Sequence, residues 1–141
     1  MLPLRHALRW QAVSAALLLI VLASAVMPAV WLWPDQVRIE SWVDHLDKWA
    51  HLLTFAFLAV WFAGQYRRDA YWRIAAGLVG FGILIELCQR MVGYRSAELF
   101  DVGADVAGVI IGLLIGLAGA GGWSQRFEDW YATREAGTGV D

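Results

Sequence analysis

Three apolar stretches of this chain carry polar pairs near one end: Asp47 with His51, Glu86 with Gln89, and Asp101 with Asp105. Spacings of three or four residues put each pair on a single helical face. A charge inside hydrocarbon costs several kcal/mol, so such groups turn toward a bundle interior or a polar path, where they carry function. Three pairs at one depth describe one polar pocket. Lys48 beside Asp47, and Arg95 just beyond Gln89, complete the candidate set of Asp47, Lys48, His51, Glu86, Gln89, Arg95, Asp101 and Asp105.

Each residue type suggests a task. Arg95 suits bidentate binding of a carboxylate or phosphate. Asp47 could orient His51 through a hydrogen bond. Glu86 is the deepest: about twelve apolar residues separate it from Arg73, roughly 18–20 Å of helix. Plainer roles compete. Lys48 can snorkel to the interface as an anchor, and Asp101 can cap a helix. Asp105 lies a turn further in, where capping cannot explain it. The set supports three readings: an ion-pair network that holds helix ends together, a site for a polar or anionic headgroup, or a divalent-cation site using His51, Glu86, Asp101 and Asp105 for hydrolysis. No H-E-x-x-H spacing, phosphate-cradling glycine loop or nucleophile elbow accompanies it.

Composition defines the setting. The 141 residues are 60% hydrophobic with a mean hydropathy of +0.53, more apolar surface than a soluble domain this size could hide. A net charge of −2 provides no basic field for nucleic acid. The lone Cys88 excludes an internal disulfide and reads as a packing residue. Trp10, Trp31, Trp33, Trp42, Trp49, Trp72 and Trp123 flank apolar stretches, as in an aromatic belt, whereas Trp61 lies within one.

The fold class expected is all-α: a transmembrane bundle of four helices at about 11–30, 48–66, 71–92 and 101–122, together a domain over 1–122. About twenty residues cross the roughly 30 Å hydrocarbon core. A cleavable signal peptide, with Arg5 and Arg9 before Ala23-Ser24-Ala25, is the alternative for the first stretch. The apolar run continues beyond that site, which favours a retained helix. Arg67-Arg68-Asp69 reads as a tight turn, and 93–100 as the last connection. The segment from Trp31 to Asp47 suggests a short interfacial helix around Val37 to Leu46.

Orientation follows the basic residues near helix ends. Arg5, Arg9, Arg67, Arg68, Arg73, Arg126 and Arg134 mark one side as cytoplasmic, so both termini lie inside and the pocket opens outward. Residues 123–141 form a cytoplasmic tail, in which Trp123, Phe127 and Trp130 share one face of a short amphipathic helix on the inner leaflet. Gly108, Gly112 and Gly116 make a small-residue ridge that admits a close helix. Its expected partner is the third helix, with Gly77, Gly80 and Gly82; a second protomer, giving a homo-oligomer, is the alternative.

The ordered motifs Asp47-Lys48-x-x-His51, Glu86-x-x-Gln89, Gly93-x-Arg95 and Asp101-x-x-Ala104-Asp105-x-x-Gly108 closely resemble the VanZ-like family of small bacterial membrane proteins, over roughly Trp42 to Gly116. Many members have Asn at the position of Asp105, and Phe where Leu52 stands. The resemblance implies a multi-pass protein of the bacterial inner membrane. It also raises, through the family's namesake, an expected link to glycopeptide (teicoplanin) susceptibility. The partners expected are membrane lipids and a lipid-linked envelope precursor, with no nucleic acid. No cofactor is required, a divalent metal being the alternative. A hydrolase or transferase using His51 and carboxylates, and a structural or assembly protein, are the competing functions.

Overall fold

A computed structural model describes residues 1–27, 40–92 and 99–137, without the side chains of 40–47, 92, 99 and 136–137. The described residues form five helices and no strand. These are α1 (Ala7–Val26), α2 (Glu40–Gln65), α3 (Tyr71–Val92), α4 (Leu99–Ile115) and α5 (Trp123–Gly137). Three helical segments are long and apolar enough to cross a membrane: Ala7–Val26, Arg68–Met91 and Phe100–Ala120. The second expected span does not qualify by composition, because Lys48, His51 and Gln65 dilute its apolar character. Those polar residues are tolerable because α2 is the central element. Phe55, Leu58, Ala59 and Ala63 are its buried core positions, and α3 adds Ile74, Leu78 and Ile85.

Several boundaries differ from the sequence expectation. Backbone 40–47 continues directly into α2, so the separate interfacial helix ending near Leu46 is replaced by one 26-residue helix. Nothing in that stretch breaks a helix, since no Gly or Pro follows Pro34 until Gly64. The turn at Arg67-Arg68-Asp69 is present as a 3-10 segment over Arg68–Ala70. The fourth stretch stops being α-helical at Ile115 and ends in a π turn over Gly116–Ala120, closed by Gly121 N–H donating to Gly116 O at 2.8 Å. Gly119 takes φ 136° there, a value that favours glycine.

The glycine ridge of α4 does find an internal partner, but it is α2 and not α3. A β-carbon on Gly108 would strike the Leu52 carbonyl, and one on Gly112 the Ala56 carbonyl and the Ala59 side chain. One on Gly116 would press on Ala63 and the Tyr71 hydroxyl. Small residues on both sides explain the choice: Ala56, Ala59 and Ala63 recur three and four residues apart on one face of α2, opposite the glycines, so the backbones approach closely. On α3, Gly77 and Gly80 meet open space; only Gly82 faces α4, through Asp105. The ridge that was the alternative surface for a homo-oligomer is thus occupied within the chain.

The tail is fastened to the end of α2 and the start of α1, which lie side by side at one end of the helical body. Ser124, fully buried, donates its hydroxyl to Gly64 O at the end of α2. Glu128 accepts the backbone N–H groups of Arg5 at 2.7 Å and His6 at 3.1 Å, and the Trp10 indole N–H at 2.9 Å. Burial pushes the Glu128 carboxyl up; these three donors and the nearby His6 outweigh it and hold the group below its ordinary value. The inward face of α5 is therefore polar, while Phe127, Trp130 and Tyr131 point outward. Trp10, Trp61 and Trp123 also depart from a simple belt. They form one cluster with centroids 5.2–5.7 Å apart.

Candidate functional site

α2, α3 and α4 bring His51, Glu86, Asp101 and Asp105 together at one end of the helical body. His51 and Asp105 are the best-defined pair: His51 Nδ1 lies 2.9 Å from Asp105 Oδ1, with the side chains 8% and 1% exposed. With Asp105 ionised, Nδ1 donates and Nε2 becomes the basic nitrogen. Close approach of α4 to α2 creates this bond, because Gly108 sits one turn below Asp105 and seats on Leu52. The ridge and the pair are one piece of construction.

Glu86 is 5% exposed, and neither carboxylate oxygen has a hydrogen-bond partner among the described residues. The second oxygen of Asp105, Oδ2, likewise has none. Asp101, His51, Asp105 and Arg90 all act on Glu86 electrostatically, which places the four around it. Asp101 is buried in the first turn of α4, inside the helix and not at its cap, where a negative charge meets the favourable end of the macrodipole. Lys48 Nζ stands 5.3 Å from the centroid of the Phe100 ring, tying the rim of α2 to the start of α4.

Gln89 is diverted to another task. Its amide donates to Ala25 O at 3.0 Å, joining α3 to the last turn of α1. The Asp47 side chain and Arg95 lie outside the described residues. Asp105 on another helix is one partner of His51, and the expected bond from Asp47 to His51 lies outside the described residues. Among the described residues no three His, Cys, Asp or Glu side chains are grouped to hold a metal ion.

His51 also borders a cavity of about 200 Å³ between α1, α2 and α3, with Ser24, Ala25, Thr54, Phe55 and Ile85 in its wall. Thr54 and Ser24 were not recognisable as site residues: Thr54 was readable only as His51 plus three, and Ser24 only as part of a possible cleavage sequence. A second polar knot was missed as well. Ser14, in the charge-free first stretch, exchanges hydrogen bonds with Gln65 and accepts the Trp61 indole N–H at 2.9 Å. It locks α1 against the far end of α2, and a lone serine offers no spacing to reveal it.

These features define a helical membrane protein with a buried His–carboxylate cluster at one end. The VanZ/LLP1 family model matches residues 6–119, a span that takes in α1 to α4 and every site residue. The chain belongs to the VanZ/LLP1 family. No curated protein and no solved structure matches it.

Proposed function

We propose that this protein is a multi-pass inner-membrane protein of four membrane helices, termini inside, whose outward-facing polar pocket recognises the headgroup of a lipid-linked envelope component. The observation that carries this reading is the set of buried carboxylate oxygens without donors among the described residues: both of Glu86 and Oδ2 of Asp105. A buried polar atom left unpaired costs about 1–3 kcal/mol, more when charged. A functional demand is one reason a chain keeps such groups. Hydroxyl or amine donors of a headgroup would satisfy these oxygens. Lys48, Arg90 and Arg95 would meet its phosphate in this reading; an electrostatic effect of Arg90 on Glu86 supports its part. A role in glycopeptide susceptibility would follow if the headgroup belongs to a cell-wall precursor.

Native mass spectrometry and elemental analysis of wild type and Glu86→Gln test this. An anionic or lipid-linked species retained by wild type and lost in the variant supports recognition. No retained species in either, with the variant less stable, leaves only a structural network.

One observation favours a second reading, a hydrolase or transferase. An Asp–His pair with Nδ1 bound is the arrangement that orients a general base, and His51 borders the cavity. In that case Nε2 would take the proton of an attacking water or hydroxyl. Turnover of a lipid phosphoester that disappears in His51→Asn would select this reading over recognition alone.

A further inference from the structure

A larger cavity, of about 340 Å³, lies toward the opposite end of the same helices, away from the carboxylate cluster. Leu18 of α1, Phe62 of α2, Tyr66 just after it, and Leu78 and Phe81 of α3 form half of its wall. Its volume falls in the range of small-ligand sites. Among the described lining residues Arg73 bears the only charged side chain, and Met1, which carries the α-amino group, lines the cavity as well. Measured along α3, Arg73 stands about 12 Å from Phe81, so the cavity has a charged mouth and an apolar depth.

The mouth is at an interface. Trp72 beside it is 66% exposed, the position at which indoles sit against headgroups. The Arg73 guanidinium lies 5.3 Å from the Trp72 ring centroid, and no hydrogen bond joins it to a described residue. Its five N–H donors suit a phosphate. The depth is also shaped by absence of bulk. Gly77 lines the wall, and a β-carbon there would meet nothing within 4 Å.

We propose that this cavity is a binding site for one anionic phospholipid, its phosphate on Arg73 and part of one hydrocarbon chain between α1, α2 and α3. Charge complementarity selects the lipid class: the Arg73 guanidinium, with no acidic side chain in the described lining, favours a net-negative headgroup over a zwitterionic one. The site stands apart from the headgroup pocket and does not depend on that reading.

The test uses the full-length chain in nanodiscs holding equal parts dioleoyl-phosphatidylglycerol and dioleoyl-phosphatidylcholine, with retained lipid read by native mass spectrometry. Wild type should retain one phosphatidylglycerol in preference to phosphatidylcholine by roughly tenfold, the worth of one charge-assisted contact. Arg73→Gln should erase the preference while keeping a chain bound. Gly77→Leu, which fills the cavity, should lose the lipid altogether. Gly80→Leu adds the same side chain three residues along, outside the lining, and should behave as wild type. Equal retention of the two lipids by wild type would overturn the proposal. So would undiminished binding by Gly77→Leu, or equal loss in Gly80→Leu.

Discussion

Asp105 rests directly on Gly82: its oxygen not bonded to His51 occupies the space a β-carbon at Gly82 would need. The contact makes a glycine on α3 part of the machinery that aims a carboxylate on α4. Gly82→Ala should push Asp105 off its present rotamer and lengthen its bond to His51. Overpacking of this kind costs about 1–3 kcal/mol. Thermal unfolding in detergent reads the stability loss, and the His51 ring nitrogen shifts by NMR read the bond. An alanine variant with unchanged His51 shifts would contradict the arrangement.

The His51–Asp105 pair should behave as a unit. His51→Ala and Asp105→Asn should each destabilise the protein, and the double variant should cost less than their sum. Contacting groups of this type show coupling of about 0.5–3 kcal/mol. A cycle of the three variants by denaturation measures it; strict additivity would argue that the two side chains do not touch.

Close packing of α4 on α2 leaves no room for a methyl group. Gly108→Ala and Gly112→Ala each place a β-carbon against a backbone carbonyl that cannot rotate away. The cost expected is at the upper end for overpacking, about 3 kcal/mol. Gly103→Ala, where nothing lies within 4 Å, is the matched control on the same helix. Folded yield and melting temperature of the three variants check this.

Acid should release the tail first. The folded carboxyl of Glu128 sits below its ordinary value of 4.5, so the unfolded chain takes up the proton more readily. The stability it contributes is complete above that ordinary value and is lost as pH falls through the lower folded one. Amide protection in α5 should drop over that acid window while α3 stays protected. Glu128→Gln should flatten the dependence. An identical acid profile in the variant would assign the loss to another group.

The sequence was most legible where polarity interrupts an apolar run. His51, Glu86, Asp101 and Asp105 stood out because burial in hydrocarbon makes each an anomaly, and all four gather at one end. α3 begins at Tyr71, where the sequence expected it, because the turn around Asp69 marks its start. Partner choice was not legible. Spacing puts Gly108 and Gly112 on one face but cannot say that the alanines of α2 will meet them, because alanine is unremarkable in any helix. Gln89 shares a face with Glu86, yet its amide goes to Ala25 O, a backbone atom that no side-chain pattern announces. The buried acceptor face of α5 was hidden for a related reason: Glu128 is a surface residue by type, and it is the distant donors of Arg5, His6 and Trp10 that make its burial tolerable.

The bond from Arg5 N–H to Glu128 joins residues 123 positions apart. It turns a chain of consecutive hairpins into a closed ring. During synthesis the first helix must enter the bilayer long before the residue that secures its leading end exists. Until then the leading segment holds to α2 through Ser14 and Gln65 and through Leu2 N–H, which donates to Gln65 O at 2.8 Å. A lesion in the last helix would therefore surface as a fault in the first: early ribosomal release before Glu128 should leave the leading segment loose and open to quality-control proteolysis, although its own sequence is intact.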